Sequence, residues 1–223
     1  TTGNATDFGD MTDSRSGGQG CGNQTRGLFG PGFNPSGSPT TINTIDFVTI
    51  ATTGNAQDFG DFTEIIRVAA LSSPTRALFG GGYGPVSPNL FNTIQFVTIS
   101  TTGNGQDFGD ITSARFNMAG SGFASNTRGL FSGGGSSAPN YVNTIDFVTI
   151  ATTGNTTDFG DLTIAGSGVG ANSNSIRGVL GGRTTPSKQN VIDFVVIATT
   201  GNAKDFGDLL NTFANCGGTS DSN

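Results

Sequence analysis

Histidine and tryptophan are absent from the 223 residues, and only two cysteines are present. Each absence removes chemistry. Without His there is no Ser-His-Asp or Cys-His nucleophile system, no imidazole acid or base, and no His-ligated metal. Two cysteines, Cys21 and Cys216, cannot build a multi-bridge scaffold. Charged side chains are scarce, 12% of the chain, and 10 Lys and Arg stand against 16 Asp and Glu, giving a net charge of -6. So few cations offer no surface for phosphates, which argues against nucleic acid or an anionic membrane as partner. No apolar run approaches the roughly 18 residues of a membrane-spanning helix, so no membrane insertion is expected. No stretch reads as a signal peptide. The first residue is Thr1, which leaves the chain either processed or part of something longer.

Glycine (37 residues), phenylalanine (18 residues) and repetition are plentiful. The string T-T-G-N-x-x-D-F-G-D occurs five times, its first Asp at Asp7, Asp58, Asp107, Asp158 and Asp205. The period is close to 50 residues, the range of solenoid and propeller repeats. A second string precedes four of these copies: T-I-D-F-V-T-I at 44–50 and 144–150, T-I-Q-F-V-T-I at 93–99, and V-I-D-F-V-V-I at 191–197. A third lies upstream of each second string: Thr-Arg-Gly-Leu-Phe at 25–29 and 127–131, Thr-Arg-Ala-Leu-Phe at 75–79, and Ile-Arg-Gly-Val-Leu at 176–180. A constant order of this kind is the mark of tandem duplication.

Each unit reads as four short strands and no helix. The first follows D-F-G-D, as in Arg115 to Ser125. The second is the Arg-Gly-Leu-Phe string, stopped by glycines such as Gly80–Gly82. The third is the Ile-Asp-Phe-Val-Thr-Ile run, rich in β-branched and aromatic residues. The fourth surrounds D-F-G-D, entered through a Thr-Gly-Asn turn. Along the third strand Ile45, Phe47 and Thr49 face one way, and Asp46, Val48 and Ile50 the other. Both faces are largely apolar, so the sheet has to be covered on both sides. Four-stranded sheets sandwiched between copies of themselves describe propeller blades, with a β-solenoid as the other arrangement that covers both faces. The expected architecture is one all-β domain, a propeller of four to five blades. Its units run about 13–62, 63–112, 113–162 and 163–209, with orphan end strands at 1–12 and 210–217. Those ends would build an incomplete fifth blade, or be left free by a four-blade ring, or be completed by another chain through β-augmentation.

The Leu78-Phe79-Gly80-Gly81-Gly82 stretch resembles the Gly-terminated second strand of kelch-type repeats, which also run about 50 residues. Phe59 stands roughly where that family has Trp, and Arg15, Arg67 and Arg115 resemble the Arg that opens its blades. There are departures: Trp is missing, D-F-G-D is not a kelch hallmark, and the last two units lack the Arg. The wording T-T-G-N-x-x-D-F-G-D is similar to repeats in structural proteins of marine bacteriophages, over nearly the whole chain. That resemblance implies a virion or extracellular location and a non-enzymatic role, as a particle decoration or a host-attachment appendage. Its partners would be other virion subunits, copies of itself, or a host-surface glycan. The other reading is a secreted bacterial carbohydrate-binding or adhesin module. No cofactor is implied, and enzymes of the kelch fold use His and Tyr metal ligands that this chain lacks.

Ten of the sixteen acidic residues sit in D-F-G-D copies. Carboxylate and amide groups such as Asn4, Asp7, Asp10, Asn55, Asp58 and Asp61 are candidates for calcium. Catalysis, however, needs one asymmetric site. Five like copies point instead to a turn, in which Asp accepts from backbone N–H groups and Gly takes an unusual φ. The D-F-G triplet lacks every companion motif of a kinase. Arg26, Arg76, Arg128 and Arg177 would either bind an anionic glycan or pair with Asp46, Asp146 or Asp193, a rule that Gln95 would break in the second unit. The recurrent Phe residues, from Phe8 to Phe206 in the turns and from Phe47 to Phe194 in the third strands, read as core. Cys21 and Cys216 fall in first-strand segments of the first and last units and are a candidate disulfide, which would imply an oxidising setting. Individuality lies in loops 31–43, 82–92, 133–143 and 181–190. There Tyr83, Asn89, Asn140 and Tyr141 are the candidate recognition residues.

Overall fold

The computed structural model describes residues 3–34, 36–37, 40–63, 65–84, 89–118, 123–137 and 140–218. Its regular elements are all strands. Glycine, Thr, Asn and Ser make poor helix interiors, while the Arg-x-Leu-Phe and Ile-x-Phe-Val runs place branched and aromatic side chains on pleated surfaces.

The first sheet contains β1 (Gly20–Gly22), β2 (Arg26–Phe29), β5 (Thr44–Thr49) and β6 (Gln57–Asp61), antiparallel in that order. Between its middle strands sits a small pair, β3 (Gly32–Phe33) and β4 (Thr41–Ile42). The second sheet is β7 (Ala69–Ser72), β8 (Arg76–Tyr83), β9 (Leu90–Thr98) and β10 (Gln106–Asp110). The third is β11 (Phe123–Ala124), β12 (Arg128–Ser132), β13 (Thr144–Thr149) and β14 (Thr157–Asp161). The fourth is β15 (Gly170–Ser173), β16 (Arg177–Thr185), β17 (Ser187–Val196) and β18 (Lys204–Phe213). Each of these four sheets is thus a four-stranded meander, with the β3–β4 pair set apart as a two-stranded sheet. Of the expected first strand of the third unit, Phe123–Ala124 is described as strand, and residues 119–122 lie outside those described.

The sheets pack face to face through three apolar clusters. The first joins Leu28, Ile45, Phe47 and Phe59 to Ala77, Phe79, Val97 and Ile99. The second joins Leu78, Ile94, Phe96 and Phe108 to Phe131, Val148 and Ile150. The third joins Leu130, Ile145 and Phe159 to Leu180, Val195 and Ile197. Sheets two and three are therefore apolar on both faces, because alternate residues of one strand serve neighbouring seams. The first strands converge: Cys21, Leu71, Ala124 and Ala171 all line one cavity of about 370 Å³. The arrangement is propeller-like, four antiparallel sheets set around a shared axis.

Burial of the recurrent Phe residues is not uniform. Phe59, Phe108 and Phe159 are each 2% exposed, but Phe8 is 39% and Phe206 56% exposed. The expectation that the whole set is core fails at these two. Phe8 lacks a third strand of its own, and Phe206 lacks a following sheet.

Candidate functional site

The recurrent polar residues form three repeated structural devices. The first is a buried ion pair at the root of a sheet. Arg15 reaches the Asp46 carboxylate at 2.9 Å and donates to Thr44 O, while the Thr12 N–H and hydroxyl donate to the same Asp46. Arg115, Asp146 and Thr112 repeat this in the third unit. In the fourth, Asp193 accepts from Thr163, but its cation is Arg183, 2.8 Å away on β16. Gly166 takes the register of Arg15, and a Cβ there would come within 3.0 Å of the Arg183 side chain. In the second unit the pair is absent: Ile65 replaces Arg, and Gln95 replaces Asp and exchanges hydrogen bonds with Thr63. Burial pushes the Asp146 carboxyl up and the Arg115 guanidinium down, each opposed by the other's charge.

This corrects two expectations. Arg67 is not the counterpart of Arg15 and Arg115. Its unit is one residue shorter after D-F-G-D, which the matched bridges Ser16–Phe33, Ile66–Tyr83 and Phe116–Gly135 reveal. Nor do Arg26, Arg76, Arg128 and Arg177 pair with Asp46, Asp146 or Asp193. Their guanidinium carbons lie 4.5–4.7 Å from the ring centroids of Phe47, Phe96, Phe147 and Phe194. Three of them also donate across a seam: Arg26 to Ile99 O, Arg76 to Ile150 O and Arg128 to Ile197 O. This second device combines cation–π contact with a link between sheets. The strand alternation that lays each Arg over a Phe of the strand it pairs with is visible only in the register Arg26↔Thr49, Leu28↔Phe47.

The third device is the D-F-G-D seam. Gly60 has φ +145°, and a Cβ there would lie 2.4 Å from Gly103 O of the next turn. Gly9, Gly109 and Gly160 repeat the contact. The N–H of Asp10 donates to Asn55 Oδ1, as Asp61 does to Asn104, Asp110 to Asn155 and Asp161 to Asn202. The Asp7 and Asp205 carboxylates accept from the Gly9 and Gly207 N–H groups. Of the calcium candidates, Asn55 is engaged this way, while Asn4, Asp58 and Asp61 are solvent-exposed. Among the described residues no group of three or more acidic or sulfur ligands converges.

Both thiols are unbonded. Burial pushes the Cys21 thiol up to about 12, opposed by its hydrogen bond with Ser72. Cys216 lines a second cavity of about 500 Å³ with Gly17, Arg67, Asn117 and Asn215. Three of these residues, Arg67, Asn117 and Asn215, carry left-handed φ near +57°, and Gly17 and Gly168 adopt +67° and +68°. Composition gives no warning of this recurring kink, because the five positions hold three residue types.

The loop candidates have local partners. Tyr83 accepts from the Asn89 side chain at 3.2 Å and packs near Phe116, while Tyr141 pairs with Gly135 and Asn140 is exposed with φ +73°. Residues 85–88 and 138–139 lie outside those described. The expected loop 181–190 is instead a continuous hairpin, with Thr185 opposite Ser187. Compared with models of known families and with curated proteins, the chain matches none.

Proposed function

We propose that this chain is a non-enzymatic structural or appendage protein of a virion, built as a kelch-like propeller with five blade positions. One observation carries the reading. The buried repeated Arg and Asp side chains pair with each other within a unit, and the second-strand Arg and the turn Asn side chains bond from one unit to the next, so the repeated buried polar groups serve the scaffold. What remains for the outside is the variable loops and two uncovered sheet faces. Such a scaffold acts by shape and copy number, with shallow contacts multiplied by avidity. The likeness of T-T-G-N-x-x-D-F-G-D to phage structural repeats supports a particle as its setting.

Five positions are supported by the ends of the chain. Asn215 N–H donates to Gly168 O as Gly168 does to Asn117 O and Asn117 to Arg67 O, so residues 214–218 continue the inner series. Phe8 O and Asp10 O accept from Gly54 and Ala56, as Phe59 O and Asp61 O accept from Gly103 and Gly105. Residues 6–10 therefore hold the place of a preceding outermost strand.

Quantitative mass spectrometry of purified particles tests the role. A high copy number, in fixed ratio to the shell protein, is expected. Absence from particles, together with glycan-array binding by the monomer through Tyr83 and Tyr141, would replace this reading with the secreted adhesin.

A further inference from the structure

Four sheets make three packed seams and leave two half-seams. On the fourth sheet, Val179, Ile192, Phe194 and Phe206 are the counterparts of Leu78, Ile94, Phe96 and Phe108. The latter are all buried, whereas the fourth-sheet residues are only half-buried and Phe206 is exposed. On the first sheet, Phe29 and Ile50 correspond to the buried Phe79 and Ile99, yet both are exposed. Met11, exposed, stands where Phe62, Ile111 and Leu162 are buried. Arg177 has its ring, Phe194, but among the described residues no carbonyl of a following sheet to receive it. Gly207 has the φ of Gly160 but nothing against it, where Gly160 meets Gly201.

These half-seams border one place. Residues 214–218 run where an innermost strand would lie, and residues 6–10 where an outermost one would. The second and third strands between them are missing. We propose that this position is a docking seat for a β-hairpin of another protein, whose two strands pair with these segments and fill both half-seams. The inference rests on the five-position reading above. It continues a seam that the molecule already makes three times.

The internal seams specify the occupant. Its second strand carries an Arg that reaches Ile50 O, as Arg26 reaches Ile99 O. Its third strand carries a Phe facing Phe8, as Phe47 faces Phe59 at 5.7 Å, and ends in a carbonyl that receives Arg177. Asn4 Oδ1 then accepts from Asp208 N–H, the contact Asn202 makes with Asp161. One feature separates the occupant from every hairpin of this chain. Where the other units begin with Thr12, Thr63, Thr112 and Thr163, this position has Leu210, and where Arg15 and Arg115 stand it has Phe213. Both are exposed. No donor awaits a buried carboxylate or amide, so the partner's third strand is apolar at the site that Asp46, Gln95, Asp146 and Asp193 fill. A second copy of this chain fits less well: three of its hairpins would bring a carboxylate or amide with no donor to meet it, and the fourth, which carries Arg183 with Asp193, would lose the Thr163 donors.

The probe is a fluorescent peptide copying residues 174–197, the hairpin of β16 and β17, with Arg183→Thr and Asp193→Leu. Saturable anisotropy binding to the intact chain and a raised thermal midpoint are expected. A peptide with Arg183→Thr alone brings an unpaired carboxylate to Leu210 and Phe213 and should bind at least about tenfold more weakly. Ile50→Asp, at an exposed position, should abolish binding while leaving the midpoint of the free protein unchanged; Phe8→Ser is the second variant should Ile50→Asp not fold. No saturable binding, or binding indifferent to both Asp193→Leu and the half-seam substitutions, would overturn the proposal. Failure of the five-position reading is seen separately, as no bis-maleimide crosslink between Cys216 and Gly18→Cys in a Cys21→Ala background. The particle role is read from copy number alone.

Discussion

A buried Arg–Asp pair is retained in the first, third and fourth units and replaced as a set in the second, which makes the molecule its own mutational comparison. Desolvating two charges costs several kcal/mol, and their attraction offsets this only when further hydrogen bonds satisfy the carboxylate. Here the Thr N–H and hydroxyl supply them. The Ile65–Gln95 unit shows that the seam also closes without charge. Removing Arg115 alone, as Arg115→Ile, leaves Asp146 buried with only Thr112 and should cost about 3–5 kcal/mol in urea unfolding. Arg115→Ile with Asp146→Gln rebuilds the second unit's arrangement and should lie within about 1 kcal/mol of the parent. A double variant as unstable as the single one would show that the two units are not interchangeable. None of this was legible from single residues. The sequence pointed to the Asp residues but assigned them the wrong Arg set, because strand register sets Arg26 opposite Thr49 and over Phe47, and a one-residue shortening before Ile66 separately hid that Arg67 is no counterpart of Arg15.

Among the elements, the strands were the most legible part. The third-strand runs and the Arg-x-Leu-Phe runs carry apolar residues on both faces, and both-faced burial forces sheet against sheet. The four-stranded meanders follow from that pattern and from the glycine turns. The D-F-G-D turn was also foreseeable as a scaffold element, since Gly in five like copies marks a positive φ. Its closeness to the next unit's Thr-Gly-Asn turn was not, because neither string names the other. Gly160 and Gly207 separate the two effects. Both hold φ above +140°, but only Gly160 has a neighbouring carbonyl within 2.5 Å of a Cβ. Gly160→Ala should therefore lower the thermal midpoint by several degrees more than Gly207→Ala, which carries the backbone strain alone. Equal effects would mean that the interlocked turns contribute nothing to the seam. The hairpin that replaces the loop at 181–190 shows where the pattern misled: Thr, Ser, Lys and Gln read as loop, yet they extend β16 and β17 into a hairpin that is half-buried along its length and exposed only at its tip, with the buried Arg183 at its base.

At the scale of the whole molecule, the described sheets bury one another's faces in three seams, and the proposed fifth position is where that burial stops. The uncovered residues on either side of it, Phe8, Ile50, Arg177 and Phe206, are those whose counterparts elsewhere are covered or engaged by a neighbouring sheet. An open position of this kind suits a subunit that joins a larger assembly, since unpaired strand edges and apolar half-seams are otherwise a route to aggregation. The sequence showed the orphan ends and could not choose among closure, freedom and completion by another chain. The choice turns on Leu210 and Phe213, whose meaning appears only beside their counterparts Thr12 and Arg15. A density map of the chain within the particle proposed as its setting tests the account most directly. Four sheets about one axis are expected, with two strands of a different polypeptide between residues 214–218 and residues 6–10, covering Phe8 and Phe206. A straight stack of sheets, or a four-sheet ring in which the first and fourth sheets touch with no strand between them, would contradict it.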